Sequence, residues 1–367
     1  EPIRRQGWLA EINQSTAQRL RDGEWDHIIF YALQSARFTK LAPIEPARSA
    51  KAFHDTNRIP EDAARRLTAF LSEKPATERH RQMRRMATSI EELTNEYQRA
   101  MRFLYEKEWA SRAHQGADRR EFIATLYQTR GHSTDTELRA TYGVHIGLSA
   151  LQQMQPKAGM IRKVLLIGPG LDWAPRTALR DDTPPQSYQP YALADSLLRL
   201  SLATPAQLTI HCLDINPRVV DHIRAFPASP RRLTLLYAPG DNEWNSYFNA
   251  LGQSAGQRDG AEFTVDRAIA NNIRAVRANI LTERTTETYD LVIATNVLLY
   301  FDDNELGLAI ANIAHALRPE GHLLHNDLRP AIEQWGQQLN LPPIHARTVR
   351  IDPARELYDG VVLHVKR

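Results

Sequence analysis

The chain has 367 residues, of which 42% are hydrophobic and 24% are charged. This length and composition favour one large or two medium globular domains, and they exclude a fibrous or wholly disordered protein. The formal net charge is only +3, and because the excess of arginine is spread along the chain, it does not indicate a nucleic-acid-binding protein.

The first predicted domain, residues 1–156, is helical. From Trp8 onward the apolar residues recur at spacings of three and four, with few clusters of β-branched residues. One such series is Leu93, Tyr97, Met101, Leu104 and Tyr105. Segment 130–135 reads as a loop, and we expect its Ser, Thr or Asp to cap a helix over residues 137–151.

The second predicted domain, residues 157–367, alternates short apolar runs with helical stretches. This alternation is typical of a parallel sheet with helices on both faces. The predicted strands cover residues 163–167, 208–214, 232–237, 289–295, 321–326, 346–351 and 361–365. A polar segment separates the last two, which predicts an antiparallel hairpin at the edge of the sheet. The predicted fold class is therefore α/β, with a seven-stranded, mostly parallel, doubly wound sheet that ends in this hairpin and follows an all-helical N-terminal domain.

A glycine turn follows the first predicted strand, in Gly168-Pro169-Gly170-Leu171-Asp172. Glycines at the carboxyl end of a strand let the backbone turn tightly and lie close to a ligand. Open parallel sheets bind their ligands beyond these strand ends. Because Gly-Pro-Gly is also common in plain turns, the segment alone leaves both interpretations open.

An acidic residue ends the second predicted strand, in Leu213-Asp214-Ile215-Asn216. A carboxylate there can accept hydrogen bonds from both hydroxyl groups of a ribose, as nucleoside cofactors require. The spacing from the glycines exceeds the roughly 20 residues of a dinucleotide fingerprint, because residues 173–189, rich in Pro and acidic residues, intervene. The alternative is that Asp214 caps the following helix.

The most specific segment begins at Tyr289 with Tyr-Asp-Leu-Val-Ile-Ala-Thr-Asn-Val-Leu-Leu-Tyr-Phe and reaches Leu-Arg-Pro-Glu-Gly before the next predicted strand. It resembles the fourth strand and following helix of class I S-adenosylmethionine-dependent methyltransferases. Within that class, the segment 296–301 (Asn-Val-x-x-Tyr-Phe) and the upstream segment 279–281 (Asn-Ile-Leu) resemble the chemotaxis-receptor glutamate methyltransferases. The resemblance covers about residues 163–326.

This resemblance implies that the chain is an enzyme that binds S-adenosylmethionine. It also implies that Asp214 holds the ribose, that Asn279 with Ile280 contacts the adenine side, and that Asn296 borders the methionine part. The predicted cofactor-binding residues are Gly168, Gly170, Asp172, Asp214, Ile215, Asn279, Ile280 and Asn296.

Two positions depart from the class I pattern. An acidic residue usually stands two before the first glycine and a third glycine two after the second, where this chain has Leu166 and Asp172. We interpret Asp172 as a replacement carboxylate that reaches the methionine ammonium group. The alternative is a catalytically silent binding module whose helical domain contacts other proteins. A nicotinamide-dependent oxidoreductase is disfavoured by the missing Gly-x-Gly-x-x-Gly and by the terminal hairpin.

The predicted acceptor is a carboxylate or hydroxyl group of a small molecule or protein side chain. A carboxylate is anionic near neutral pH and needs no general base, whereas a hydroxyl or amine acceptor does. Tyr191 and Tyr300 are candidate catalytic residues and His325 lies near a relevant strand end, with packing as the alternative for each. We expect the helical domain, above all segment 131–135 with the helix after it, to close over the cofactor and to shape the acceptor pocket.

Several other classes find no support in the sequence. It contains no phosphate loop ending in Gly-Lys-Ser or Gly-Lys-Thr. It also contains no metal-binding His-x-x-x-His, so we predict no metal. No apolar run approaches the roughly 18 residues of a membrane span. The single cysteine, Cys212, excludes an intrachain disulfide, and we expect a cytoplasmic location. The chain begins at Glu1 rather than Met, which leaves open whether a leader was removed, and the sequence does not indicate the oligomeric state.

Overall fold

The computed structural model describes residues 2–156, 160–173, 183–352 and 357–367. It divides into two compact units. The first, called the sheet unit here, comprises Glu1–Asn13, Thr136–Leu171 and Gln186–Arg367, and the second, the helical unit, comprises Gln14–Asp135 and Asp172–Pro185. The domain boundary predicted at residues 156 and 157 adjoins residues 157–159, which lie outside the described residues, and it stays a prediction.

The helical unit consists of helices that differ widely in length. They are α1 (Pro2–Gln34, from residue 14 onward), α2 (Pro46–Thr56), α3 (Glu61–Ser72), α4 (Glu78–Arg84), α5 (Ile90–Glu108) and α6 (Gly116–Thr129), with a 3-10 turn at Ala110–Ala113. Several begin at side-chain caps: Ser89 accepts a hydrogen bond from the N–H group of Glu92 at 3.1 Å at the start of α5. The predicted helical N-terminal region is confirmed.

A buried arginine, Arg66 on α3, fixes the connection between α1 and α2. Its guanidinium group donates to the carbonyl oxygens of Ala32 at 2.8 Å and Leu41 at 2.6 Å, and also to that of Ser35. Burial lowers the pKa of Arg66 to about 10, because desolvation disfavours the charged form. The carbonyl groups that the connection turns inward are thereby satisfied.

A second buried arginine, Arg79 on α4, joins two parts of the predicted insertion 173–189, of which residues 174–182 lie outside the described residues. Its Nη1 atom donates to the carbonyl oxygen of Trp173 at 3.0 Å and to that of Asp172. Its Nη2 atom donates to the carbonyl oxygen of Pro184 at 3.3 Å and to Asp172 Oδ1 at 3.4 Å. One side chain thus ties both described ends of the insertion to the helical unit.

The predicted loop at 131–135 packs against α1 through two glycines. A Cβ atom on Gly23 would collide with the carbonyl group of His132, and one on Gly131 would collide with the backbone of Gly23. The predicted cap was wrong: the helix begins at Ala140 after Arg139, with no side-chain cap. Within the helical unit, Asp135 instead accepts the main-chain N–H group of Trp173.

The described part of the sheet unit contains the beginning of α1, seven further α-helices and two sheets. The helices are α7 (Ala140–Met154), α8 (Gln189–Arg199), α9 (Pro217–Ala225), α10 (Asn242–Ala250), α11 (Arg267–Asn271), α12 (Asp303–Ala316) and α13 (Pro330–Gln338). The strands are β1 (Lys163–Ile167), β2 (Thr209–Asp214), β3 (Arg232–Thr234), β4 (Gly256–Asp259), β5 (Glu262–Val265), β6 (Ile273–Arg277), β7 (Tyr289–Ala294), β8 (Leu317–His325), β9 (Pro343–Asp352) and β10 (Leu357–Val365).

The main sheet has seven strands in the order β6-β2-β1-β7-β8-β10-β9. The first five are parallel, and β10 runs antiparallel to both β8 and β9. The central strands β1 and β7 are almost wholly buried, as expected for strands covered by helices on both faces. Helix α7 packs closely on this sheet, because Gly147 leaves room for the side chains of Leu324 and Val361. The predicted fold class is confirmed.

Two strand assignments differ from the sequence prediction. The segment predicted as a strand at 232–237 forms only β3, which belongs to a separate antiparallel sheet in the order β3-β5-β4. The outer strand of the main sheet is instead β6, with the sequence Ile-Arg-Ala-Val-Arg. Its arginines and its exposed Val276 suit an edge strand. Because the arginines interrupt the apolar residues, β6 lacks the continuous apolar run that identified the other parallel strands.

Over the described residues, no helix combines the length and apolarity that crossing a bilayer requires.

Replacing Gly23 by Ala is expected to destabilise the protein by about 1–3 kcal/mol, because the added methyl group must displace the backbone at His132. Gly7→Ala on the same helix is the matched control. Outside the helix's own backbone, no atom of the described residues lies within 4 Å of a Cβ there, so the higher helix propensity of Ala should stabilise the protein by up to about 1 kcal/mol. Denaturant unfolding of the two variants measures both effects, and equal shifts would contradict the close contact.

Candidate active site

Four neighbouring strands of the main sheet end at the same edge, in the order β6, β2, β1 and β7. They are parallel, so their carboxyl ends point the same way. At or just beyond these ends stand Asn279, Asp214, Gly168 and Asn296, in the same order. Adjacent strands lie about 4.8 Å apart, so the sheet brings together four of the residues that the sequence nominated.

The glycine turn after β1 adopts a backbone that favours glycine. Gly168 has φ +66° and Gly170 has φ +65°, in the left-handed region that other L-residues rarely adopt. The N–H group of Gly168 donates to the carbonyl oxygen of Leu213 at 2.8 Å, and a Cβ atom on Gly168 would lie 2.6 Å from Val297 Cγ2. Leu166, which stands where the class I pattern has an acid, is a buried core residue of β1.

The carboxylate of Asp214 is buried at the end of β2, with 3% of the residue exposed. Its Oδ1 atom accepts the N–H group of Asn216 at 2.8 Å, and its Oδ2 atom accepts that of Gly170 at a long 3.4 Å. Burial raises the pKa of Asp214 to about 7, although these main-chain N–H groups act in the opposite direction.

Asp214 does not cap the following helix, which was the alternative interpretation. Helix α9 begins at Pro217, and its cap is Asn216, whose side chain accepts the N–H group of Arg218 at 3.0 Å. Ile215 lies between them and is half-buried. The carboxylate of Asp214 is therefore turned toward the glycine turn rather than toward the first turn of α9.

Asn279 shapes the turn after β6. Its Oδ1 atom accepts the N–H group of Leu281 at 3.0 Å, and its Nδ2 atom donates to Asn13 Oδ1 at 3.0 Å. The main-chain N–H group of Asn279 donates to Glu283 at 2.9 Å. These bonds hold the turn that carries Ile280, whose side chain is 5% exposed.

Asn296 follows β7 and belongs to a polar group that spans three strands. It is exposed and has φ +58°, a conformation that Asn tolerates better than most residues. Its main-chain N–H group donates to Asn326 Oδ1 at 2.8 Å, and Asn326 Nδ2 donates to Asn296 Oδ1 at 2.7 Å. Asn326 Nδ2 also donates to Asp359 Oδ2 at 2.9 Å. We call Asn296, Asn326 and Asp359 the polar triad.

Asp172, the predicted replacement carboxylate, belongs to the helical unit rather than the sheet unit. Its side chain is 16% exposed and lies 3.4 Å from Arg79 Nη2. The Asp172 carboxylate thus already has a cationic partner within the helical unit. Its predicted contact with the methionine ammonium group stays a prediction.

The two candidate catalytic tyrosines are both buried. Tyr191 on α8 is 1% exposed and packs against Phe226 with ring centroids 4.2 Å apart, and burial raises its pKa well above the usual value. Tyr300 is 9% exposed within a 3-10 turn whose carbonyl groups at Leu298 and Phe301 accept hydrogen bonds from Arg329. The packing alternative describes Tyr191 well, because its ring lies in the core.

His325 is paired with a second histidine behind the polar triad. Its Nε2 atom lies 2.8 Å from His364 Nε2, and its Nδ1 atom accepts the N–H group of Asp327 at 3.2 Å. His364 Nδ1 lies 2.9 Å from the carbonyl oxygen of Leu341, which assigns the proton between the rings to His325. Burial lowers the pKa of both rings. Both nitrogens of His325 are thus engaged within the protein.

The residues at this edge fit a nucleoside that carries a sulfonium group. An ionised carboxylate such as Asp214 keeps acceptor capacity for ribose hydroxyl groups, because a carboxylate has about four acceptor positions and the contact to Gly170 is long. The hydroxyl oxygen of Thr295 is buried beside Asn296 without a partner among the described residues. Within the same part of the chain, no three His, Cys, Asp or Glu side chains are arranged to hold a metal ion.

Sequence reasoning missed two members of the polar triad, Asn326 and Asp359. Asn326 ends a predicted strand, as Asp214 and Asn296 do, so the same position rule could have nominated it. Asp359 lies inside the terminal hairpin with no local motif around it.

One family model matches part of this chain. The family described as "CheR methyltransferase, SAM binding domain" matches residues 186–340, somewhat less than half of the chain. Residues 186–340 are therefore similar to a methyltransferase domain that binds S-adenosylmethionine, which confirms the predicted cofactor. The match begins after the glycine turn and ends before β9 and β10. No protein of curated function matches the sequence.

Solved structures with a related chain course include three bacterial methyltransferases. NodS, an N-methyltransferase of Bradyrhizobium japonicum WM9 with S-adenosyl-L-homocysteine, is 17% identical over 62% of this chain and 85% of its own, with a TM-score of 0.33. The TehB-like enzyme of Corynebacterium glutamicum ATCC 13032 has 14% identity, 60% and 88% coverage and a TM-score of 0.31. Magnesium protoporphyrin IX methyltransferase of Synechocystis PCC 6803 has 11% identity, 63% and 85% coverage and a TM-score of 0.34. Similarity at this level does not identify a shared activity.

Replacing Gly168 by Ala is expected to damage the turn and the site together. The left-handed backbone costs about 1–2 kcal/mol for a residue with a Cβ atom, and the contact with Val297 adds about 1–3 kcal/mol. Gly260→Ala is the control, because Gly260 also has a positive φ of +54°, but no atom of the described part of the chain lies within 4 Å of its Cβ position. Thermal unfolding and affinity for S-adenosylhomocysteine measure the outcome. If the two variants behave alike, the close approach of Val297 is refuted.

Proposed function

We propose that this chain, a methyltransferase by the family match of its residues 186–340, transfers a methyl group from S-adenosylmethionine to a nucleophile bound at the carboxyl edge of the main sheet. The observation that carries the proposal is the strand order β6-β2-β1-β7, which aligns Asn279, Asp214, Gly168 and Asn296 along one edge. Ligands of open parallel sheets bind at such edges.

The roles of these residues follow from their chemistry. Asp214 would accept hydrogen bonds from the ribose hydroxyl groups. The turn from Gly168 to Gly170 would let the backbone approach the cofactor closely, because no Cβ atom intervenes. The turn held by Asn279 would bring Ile280 to the adenine side, and Asn296 would border the methionine part.

Methyl transfer from a sulfonium group depends mainly on the alignment of the nucleophile with the methyl group. When bound, S-adenosylmethionine supplies a methyl group that is already activated by the positive sulfur. The chain's own task is to hold the nucleophile in line with that group and close to it, which by itself accounts for a large rate enhancement. The family resemblance favours a carboxylate as the nucleophile, followed by a hydroxyl group, on a small molecule or a protein side chain.

Cofactor binding should depend on pH through Asp214. Its pKa is raised to about 7, and hydrogen bonds from ribose hydroxyl groups favour the ionised form, so binding should lower that pKa. Affinity is therefore expected to be full above pH 7 and to weaken as the pH falls through 7, as the carboxyl group gains a proton that binding must displace.

Asp214→Asn is expected to weaken affinity for S-adenosylhomocysteine at pH 8 by about 1–3 kcal/mol, because the amide replaces a charged acceptor by a neutral one. The variant should also lose the pH dependence between 6 and 8. Asp221→Asn, on the exposed face of α9, removes the same charge outside the site and should leave both quantities unchanged. Isothermal titration calorimetry measures them, and wild-type affinity in a folded Asp214→Asn variant would refute the ribose role.

Calorimetry with S-adenosylhomocysteine also tests the proposal as a whole. We expect saturable binding to the wild-type protein. Absence of heat at millimolar ligand, in a folded sample, would contradict the proposed activity.

A further inference from the structure

Asp359 on β10 places a half-buried carboxylate beside the strand end that carries Asn296. The amide nitrogen of Asn326 donates to both residues, at 2.9 Å to Asp359 Oδ2 and at 2.7 Å to Asn296 Oδ1. Gly360 allows this approach, because a Cβ atom there would lie 2.6 Å from the carbonyl oxygen of Asn326. Two hydrogen bonds therefore connect the carboxylate to the residue expected to border the methionine part.

Asp359 has no cationic partner among the residues that the structure describes. The nearby acid Asp327 is paired with Arg329, whose Nη2 atom lies 2.7 Å from its Oδ2 atom. Across the hairpin Asp359 faces Val349, and Arg347 on the same face of β9 is exposed. Burial raises the pKa of Asp359 to about 6, and the charge of Asp327 adds to the rise.

A second observation points to a ligand at this strand end. Thr295, which directly precedes Asn296, is 6% exposed, and its hydroxyl oxygen has no partner among the described residues. Buried hydroxyl groups in folded proteins are normally hydrogen-bonded. An uncompensated carboxylate is thus connected to Asn296 through Asn326, and the residue directly before Asn296 carries an unsatisfied hydroxyl group.

We infer that Asp359 binds an amino group of the methyl acceptor, so that the acceptor of this enzyme is an amine rather than a carboxylate. This inference rests on the proposed function and narrows its substrate class. A carboxylate buried without a cation is unfavourable, and an ammonium group supplies the missing charge. An anionic acceptor at the same position would be repelled by Asp359, which opposes the carboxylate that the family resemblance favours.

The transfer balances with Asp359 as the proton acceptor. The bound ammonium group gives one proton to the carboxylate, which leaves a neutral nitrogen with a lone pair. That lone pair forms the new N–C bond, while the C–S bond breaks and its electron pair stays on sulfur. The methylated ammonium product departs, and the proton on Asp359 passes to solvent.

The test compares amines with carboxylates and alcohols of the same shape on the full chain saturated with S-adenosylhomocysteine. The probes are n-butylamine, butyrate and n-butanol, and benzylamine, benzoate and benzyl alcohol, titrated calorimetrically at pH 7.5. We expect the amines to bind the wild-type protein at least tenfold more tightly than Asp359→Asn. Asp259→Asn, an equal charge change on exposed β4, serves as the matched control and should bind them like the wild type.

A pH series on the wild-type protein keeps the test valid if Asp359→Asn does not fold. Amine affinity should fall as the pH drops from 8 to 5, because Asp359 gains a proton and loses its charge. Burial lowers the pKa of His325 and His364, the paired rings next to Asn326, which disfavours their charged forms. Asp327 also faces this region and is paired with Arg329. In folded Asp359→Asn the dependence should vanish.

Three results would overturn the inference: tighter binding of the carboxylates than of the amines, equal amine affinity in Asp359→Asn and wild type, or no amine binding in a protein that binds S-adenosylhomocysteine. Each leaves the proposed function intact. Failure to bind S-adenosylhomocysteine would instead count against the proposed function.

Discussion

The parallel ladder between β1 and β2 is the constraint on which the rest of the site depends. Its register pairs Ile167 with Leu213, and the bond from Gly168 to Leu213 continues the ladder by one step. The glycine turn and Asp214 therefore leave the sheet side by side. The neighbouring strands β6 and β7 are also parallel to this pair. The carboxyl ends of all four strands therefore lie at one edge, and polar groups distant in sequence face the same region.

Charge is distributed unevenly along that edge. Asp327 has an arginine partner there, Arg329. Asp214 and Asp359, by contrast, have raised pKa values of about 7 and about 6, both caused mainly by burial, and neither has a cationic partner in the described part of the chain. Buried acidic side chains with a structural role are usually paired with a cation of the protein. Those that bind a ligand often lack such a partner, and the ligand then supplies the compensating charge. The two groups bracket the glycine turn and the end of β7.

Arginine serves a different purpose in the helical unit. Arg66 and Arg79 are each 1% exposed and donate mainly to main-chain carbonyl groups of irregular segments. A guanidinium group has five donors in a fixed plane, which suits it to joining several carbonyl groups at once. Part of the basic excess in the composition is therefore internal and structural, which agrees with the absence of a concentrated basic surface segment in the sequence.

Much of the candidate site could be nominated from the sequence, because the relevant signals are local. Gly168, Asp214 and Asn296 each follow an apolar strand run, and the position of a residue at a strand end is readable without the fold. The outer strand β6 was not recognised because its arginines interrupt the apolar pattern. The loop cap at Ser, Thr or Asp before α7 was mistaken because those side chains bond within their own unit, as Asp135 does with Trp173.

The sequence by itself determined the fold class, the cofactor class and the strand ends that bear polar residues, since short-range patterns and motifs encode all three. Only the tertiary structure decided that Asn326 and Asp359 join Asn296, and that Tyr191 lies in the core. The physical reason is that β10 enters the sheet antiparallel to β8 from the end of the chain. Strand order and register decide which residues β10 brings to the edge, and no local sequence pattern encodes either of them.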